Sequence, residues 1–171
     1  MTLPFHAEQR MRASPDVVWA FVQDVPGSGR WMRGTEHMED LTGPPIAVGS
    51  RFLQTRRIHG RVASAEFVVT EIDPAKRCLA LEVDGRRGSL GRGMFRFRYA
   101  MRADEGGGTR VVVDGDIVLG RAIELVAQFF VSKFVAVVEK DLEALRDCVD
   151  LPLSLDQTSD VAFRRRDGVG A

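Results

Sequence analysis

Apolar and polar residues alternate at the start of the chain, where Phe5, Ala7, Gln9 and Met11 are separated by more polar neighbours. A period of two is typical of a strand with one face in solvent. Further runs rich in β-branched and aromatic residues, bounded by Gly, Pro and Asp, predict five more strands, at 51–58, 62–72, 77–83, 93–102 and 110–119. The glycine-rich stretch 103–109 predicts a hairpin loop between the last two.

Helical segments are predicted on either side of these strands. Ser14 stands at an N-cap position and Pro15 at the first helical position, and the helix that they begin ends near Pro26. A helical turn around Trp31 follows. A long helix is predicted over 121–149, because apolar residues recur every three or four positions: Ala127, Val131, Phe134, Val138, Leu142, Leu145 and Val149. Its first half is apolar on more than one face, which cavity lining, loop packing or a dimer contact would each explain.

These elements predict an α+β domain in which one long C-terminal helix faces one antiparallel sheet. A single helix cannot cover the whole concave face of such a sheet, so we expect a cavity between the two. Residues 1–150 form the predicted domain. The apolar periodicity ends after Pro152, and residues 151–171 are predicted to be a flexible tail.

Hairpin geometry predicts which side chains face the cavity. A turn centred on position 106 sets Arg98 opposite Asp114 on the solvent face, and turns centred on positions 60 and 75 orient the earlier strands in the same way. A slip of one residue would invert a face, because successive side chains point in opposite directions. The face expected to be covered contains Leu53, Thr55, Arg57, Phe67, Val69, Leu79, Leu81, Val83, Phe95, Phe97, Tyr99, Val111, Val113 and Ile117.

Polar side chains on this apolar face are the candidate functional residues. Burying a charge costs several kcal/mol, so Arg57 and Glu71 either reach water near strand ends or orient a polar group of a bound molecule. Tyr99 is a candidate for ligand contact or for plain core. Trp31 is a candidate for ligand contact, and the segment 31–38, with His37 in a loop, is expected to lie over the cavity mouth. The predicted ligand-binding residues are Trp31, Leu53, Thr55, Arg57, Phe67, Val69, Glu71, Leu81, Phe95, Phe97, Tyr99, Val113, Phe130 and Phe134.

Charge and composition narrow the classes of partner. The 171-residue chain carries 24 basic and 24 acidic residues, so no net field attracts nucleic acid or anionic lipid. Neither Cys78 and Cys148 nor the histidines show metal-ligand spacing, and we expect no metal and no cofactor. The richest apolar run, 123–138, contains polar residues and is short for a membrane span. With no signal-peptide-like start, the sequence predicts a cytoplasmic protein with no stable membrane insertion and no nucleic-acid partner.

The order of local motifs resembles a known family. The motifs are S-P-x-x-V-W-x-F at 14–21, G-S-R-F at 49–52, V-T-E-I-D-P at 69–74 and G-T-R-V at 108–111, before the long helix. Over residues 3–149 the chain resembles the SRPBCC or START-like superfamily, in particular its bacterial polyketide cyclase/dehydrase-type group. The resemblance implies a helix-grip fold, in which six or seven antiparallel strands wrap the C-terminal helix and two short helices close one end. It also implies a hydrophobic ligand such as a polyketide, sterol, lipid or aromatic compound.

Three functions remain open at this point. The first is binding of a small hydrophobic molecule between sheet and helix. The second is a polyketide aromatase/cyclase or dehydrase, in which Arg57 would polarise a carbonyl, Glu71 would accept a proton and Tyr99 would donate one. The third is a co-chaperone-like interaction module that uses the apolar first half of the long helix. A homodimer through the same helix half or a sheet edge is also open.

Overall fold

A computed structural model describes residues 1–58, 60–85, 93–119 and 127–151. Within these ranges seven antiparallel strands form one sheet in the order β1-β7-β6-β5-β4-β3-β2. The elements in chain order are β1 Thr2–Met11, α1 Pro15–Gln23, a 3₁₀ helix Pro26–Arg30, β2 Thr35–Asp40, β3 Arg51–Ile58, β4 Arg61–Asp73, β5 Cys78–Asp84, β6 Gly93–Ala103, β7 Thr109–Leu119 and α2 Ala127–Asp150. This is the predicted helix-grip fold.

The helix α2 lies against β1 and β7, at one side of the curved sheet. Its stripe of apolar residues enters the core, where Val138, Leu142 and Leu145 are buried against the inward side chains of the sheet. The end of the helix is held by Asp150, whose carboxylate accepts the backbone N–H groups of Arg12 at 2.8 Å and Ala13 at 3.0 Å. Because the helix covers the β1–β7 side, the β3–β6 side of the concave face is left partly uncovered.

Local patterns of the first strand and helix were confirmed. Phe5, Ala7 and Met11 are buried on the concave face, whereas His6 is exposed on the other. Pro15 occupies the first turn of α1, as expected for a residue that has no N–H to donate. Ser14 is the N-cap, although its side chain makes no capping hydrogen bond.

The strand β2, Thr35–Asp40, lies where the sequence predicts a loop. Its sequence, T-E-H-M-E-D, shows no apolar alternation because β2 is an edge strand and its residues are exposed or half-buried. Pairing with β3 holds it in place, with an irregularity between Thr35 and His37. His37 therefore lies exposed on a strand and not in a loop over the cavity mouth.

The predicted register of the last hairpin was confirmed. Arg98 pairs with Asp114 and Tyr99 with Val113, as centring the loop on position 106 required. Gly115 pairs with β1 on one side and β6 on the other, and no register shift occurs there. A Cβ on Gly115 would overlap the phenyl ring of Phe5 and a backbone carbonyl of β6. The glycine is therefore required by the close approach of this ring and not by a bend of the sheet.

The predicted register of β3 against β4 was wrong by one residue. Thr55 pairs with Ser64 and not with Ala65, because the closing pair Ile58–Arg61 leaves two residues in the turn, where a centre on position 60 implied three. This shift of one residue turns every side chain of β3 to the opposite face of the sheet. Leu53, Thr55 and Arg57 therefore lie on the convex face, and the concave face receives Phe52, Gln54 and Arg56 instead.

The predicted orientation of Glu71 was also wrong, for a different reason. A β-bulge between Val69 and Glu71 shifts the pairing of β4 with β5, so that Glu71 opposes Ala80 and not Leu79. The extra residue turns the carboxylate to the convex face. There Arg98 Nε and Nη2 donate to the two Glu71 oxygens at 3.0 and 3.2 Å.

Candidate functional site

A cavity of about 320 Å³ lies between α2 and the part of the sheet formed by β3 to β6. Its volume falls at the lower end of the range of small-molecule pockets, roughly 300–1,000 Å³. The lining residues come from four strands, α2 and the segment before β2. They are Met32, Gln54, Arg56, Ala63, Ser64, Ala65, Phe67, Val83, Phe95, Phe97, Tyr99, Lys133, Phe134, Val137, Val138 and Asp141.

Phenylalanine rings form the apolar wall of the cavity. Phe134 of α2 is stacked on Phe95 with ring centroids 5.3 Å apart, and it also contacts Phe97 at 5.6 Å. Phe97 in turn is stacked on Phe67 at 6.4 Å. The helix α2 and the strands β4 and β6 thus present a continuous aromatic surface, which suits flat or chain-like apolar molecules.

A buried ion pair forms the polar part of the wall. Arg56 Nη1 and Nη2 donate to Asp141 Oδ2 and Oδ1 at 2.9 and 2.8 Å, and the backbone N–H of Arg33 donates to Oδ1 at 2.8 Å. The side chains of Arg56 and Asp141 are only 15% and 10% exposed. Burial raises the pKa of the Asp141 carboxyl above its ordinary value, although the guanidinium opposes this shift. The pair also ties the middle of α2 to β3.

Two uncharged polar side chains stand beside this pair. Burial, and then the negative charge of Asp141, raise the pKa of the Tyr99 hydroxyl, so Tyr99 keeps its proton at neutral pH. The amide nitrogen of Gln54 donates to Thr35 Oγ1 at 2.8 Å and approaches the Met32 sulfur at 3.3 Å. The Gln54 donors are therefore used within the protein, whereas Tyr99 supplies a hydroxyl donor close to the ion pair.

An exposed lysine marks the side of the cavity that opens to solvent. Lys133 of α2 contributes to the lining, and its ammonium lies 5.4 Å from the ring centroid of Phe129. That ring is 67% exposed, one of the few large apolar side chains on the described surface. A molecule that enters the cavity here would pass a positive charge and an apolar ring.

The structure brings only part of the predicted ligand-binding set together. Lining the cavity are Phe67, Phe95, Phe97, Tyr99 and Phe134. Four others are buried in the core away from it: Trp31, Val69, Leu81 and Val113. The backbone of Phe130 belongs to α2, but its side chain lies outside the described residues. Whether any of these side chains binds a ligand stays a prediction.

The predicted catalytic trio of Arg57, Glu71 and Tyr99 cannot assemble in the cavity. Arg57 lies on the convex face, where it contacts Glu36 at 2.7 Å, and Glu71 contacts Arg98 on the same face. Leu53 and Thr55 share the orientation of Arg57. Of the trio only Tyr99 lines the cavity, so the acid–base scheme written for these three residues is wrong.

The polar residues that do line the cavity were missed for an identifiable reason. Arg56 and Gln54 follow Phe52 at intervals of two, and the predicted register of β3 assigned the alternate residues to the concave face. Asp141 comes three residues after Val138 and one before Leu142, so an acidic residue lies beside the apolar stripe of α2. A basic residue in phase with Phe52 on β3 and an acidic residue beside the apolar stripe of α2 were the sequence features that could have indicated this ion pair.

The described parts of the chain contain no group of three or more His, Cys, Asp or Glu side chains that could hold a metal ion. No helix in the described ranges combines the length and apolarity that crossing a membrane requires.

A second, much smaller void of about 10 Å³ lies beside Trp31 and Leu81. The larger cavity is therefore the candidate site for a bound molecule.

Comparison with known proteins identifies the family. The family model described as polyketide cyclase/dehydrase and lipid transport matches residues 3–149. TTHA0849 from Thermus thermophilus has a similar structure, with a TM-score of 0.70 and 19% identity over 86% of this chain and 97% of that one. Ginseng major latex-like protein 151 from Panax ginseng gives a TM-score of 0.71 and 13% identity over 87% and 98%. No curated protein matched the sequence. The chain belongs to the polyketide cyclase/dehydrase and lipid transport family of the SRPBCC superfamily.

Proposed function

We propose that this protein binds a small, largely apolar molecule in the cavity between the sheet and α2. The observation that carries the proposal is the cavity itself, about 320 Å³ with a wall of stacked phenylalanine rings. At the packing density of protein interiors, about 0.74, a ligand of about 240 Å³ van der Waals volume would fill it. Molecules with two or three fused rings, or a short lipid chain, are of this size class.

The energetic reason is the exchange of water for apolar contact. Burial of apolar surface contributes about 25 cal/mol per Å² to the binding free energy, and a molecule in the cavity would bury its apolar surface against the phenylalanine rings. The family includes proteins described as polyketide cyclases, dehydrases and lipid transporters, and a hydrophobic ligand is common to all three descriptions.

Intracellular location, a homodimer and a co-chaperone-like role stay predictions.

A cyclase or dehydrase activity is the second candidate, favoured by the presence of Arg56, Asp141 and Tyr99 on one wall. Arg56 has donors that could polarise a carbonyl, and Tyr99 has a proton to donate. A general base is less well provided, because both Asp141 oxygens already accept hydrogen bonds from Arg56 and one also accepts from Arg33. The arrangement therefore favours binding over proton abstraction.

The test is calorimetric titration with 2-isopropylnaphthalene as an apolar probe, on protein that has been unfolded and refolded to remove any resident molecule. We expect saturable one-to-one binding that weakens at least about tenfold in Ala65→Leu, because this side chain lines the cavity. Ala80→Leu on the convex face is the matched control and should bind as the wild type does. Absence of saturable binding, or equal affinity in both variants, would refute the proposal.

A further inference from the structure

The charges within the cavity are balanced before any ligand enters. Among the lining residues only Arg56, Asp141 and Lys133 carry a formal charge. Lys133 is exposed to solvent, whereas Arg56 and Asp141 neutralise each other through two hydrogen bonds of 2.8–2.9 Å. The deep part of the cavity is therefore polar at one wall but has no net charge.

Hydrogen-bond donors on this wall outnumber the acceptors that are still available. The Asp141 carboxylate accepts three hydrogen bonds, two from Arg56 and one from the Arg33 amide. A guanidinium has five N–H groups, and the pair with Asp141 uses two of those on Arg56. Tyr99, close enough for its pKa to respond to both charges, keeps its hydroxyl proton. The wall can still donate hydrogen bonds to a guest, but its acidic acceptor is largely occupied.

From this arrangement we infer that the cavity selects an uncharged molecule that presents a carbonyl, ether or hydroxyl oxygen to Arg56 and Tyr99, and rejects a free carboxylate of the same shape. The inference deepens the proposed binding function and rests on it. A neutral oxygen accepts from Arg56 without disturbing the ion pair. A carboxylate at this wall would lose its hydration and lie beside the charge of Asp141, and the one cation there, Arg56, is already paired, whereas Lys133 is exposed to solvent.

Three naphthalene derivatives of nearly equal shape test the inference by calorimetric titration: 2-acetylnaphthalene, 2-isopropylnaphthalene and 2-naphthoate. For the wild type we expect the ketone to bind about tenfold tighter than the hydrocarbon, since one hydrogen bond from a charged donor is gained. Naphthoate should bind at least about tenfold more weakly than the ketone.

Asp141→Asn supplies the decisive comparison. The variant leaves the Arg56 guanidinium without its counter-charge, so the ratio of the naphthoate affinity to the ketone affinity should rise at least about tenfold. The double variant with Arg56→Gln removes both charges and should lose this gain, and its preference for the ketone over the hydrocarbon should fall, because only uncharged donors such as the Tyr99 hydroxyl remain. Arg57→Gln changes the same residue type on the opposite face of the same strand and should match the wild type in all three titrations.

Each outcome has one meaning. Naphthoate binding as tightly as the ketone to the wild type, or an Asp141→Asn ratio equal to that of the wild type, would overturn the inference while leaving apolar binding intact. Failure of all three probes to bind would instead refute the proposed function and the inference with it. Should Asp141→Asn not fold, the uncharged double variant decides, because a preference for the ketone as large as that of the wild type would show that Arg56 does not recognise the oxygen.

Discussion

The substitution Ala65→Leu tests whether the cavity exists as empty apolar space. Ala65 is 2% exposed, lies on β4 opposite Gln54 and lines the cavity. Leucine adds three carbon atoms, each of which gains about 0.8 kcal/mol on burial, or about 2.4 kcal/mol together. Restricting its rotamers costs roughly 0.5–1 kcal/mol. We therefore expect the ligand-free variant to be more stable than the wild type by about 1.5 kcal/mol.

Ala7→Leu is the matched control for this gain. Ala7 is 3% exposed and also lies on the concave face, but on β1 beneath α2 and away from the cavity lining. Extra carbons at a filled position force neighbours to move, which costs about 1–3 kcal/mol. The same substitution at two buried alanines of one sheet face should therefore change stability in opposite directions.

Urea denaturation of refolded, ligand-free protein measures both effects. The midpoint should rise for Ala65→Leu and fall for Ala7→Leu, with the denaturant slope unchanged in each. A loss of stability in Ala65→Leu as large as that in Ala7→Leu would refute the reasoning, because it would mean that the protein's own side chains fill the space between the sheet and α2.

Three further predictions concern the ion pairs and the closest approach in the sheet. Asp141→Ala should lower the free energy of unfolding by about 3–5 kcal/mol, measured by urea denaturation, because it leaves the buried Arg56 charge without a partner. Replacing Arg56 by Met and Asp141 by Leu together should change this free energy by less than about 1.5 kcal/mol. Equal losses in the single and the double variant would contradict this account. The hydrogen bonds from Arg98 lower the pKa of Glu71 below its ordinary 4.5, so that pair contributes stability at neutral pH that is lost as the pH falls through the lowered value. The difference in Tm between wild type and Glu71→Gln should therefore shrink on acidification below about pH 4.5, and a constant difference would exclude the pair as its source. Gly115→Ala should destabilise the protein by at least about 2 kcal/mol, because a methyl group there overlaps a phenyl ring and a carbonyl; near-wild-type stability would show that β1 and β6 can move apart.

Much of the fold follows from short-range patterns. The alternation in β1 oriented Phe5 and His6 correctly, and the hairpin loop at 103–109 set the register of β6 and β7. The stripe along α2 identified Val138, Leu142 and Leu145 as core. In each case neighbours along the chain carry the information, since one face of the element is apolar and the other is polar.

The polar wall of the cavity depended on geometry that no local pattern states. A two-residue turn in place of three inverted β3, and one bulge in β4 turned Glu71 outward, so Arg57 and Glu71 were exchanged for Arg56 and Asp141. Arg56 and Asp141 are 85 positions apart and meet only because α2 crosses the concave face. The sequence by itself determined which segments are strands and helices, apart from the edge strand β2, and that one helix cannot cover the sheet. The tertiary structure decided which charges share the uncovered space, because a strand's side chains change face with every single-residue shift.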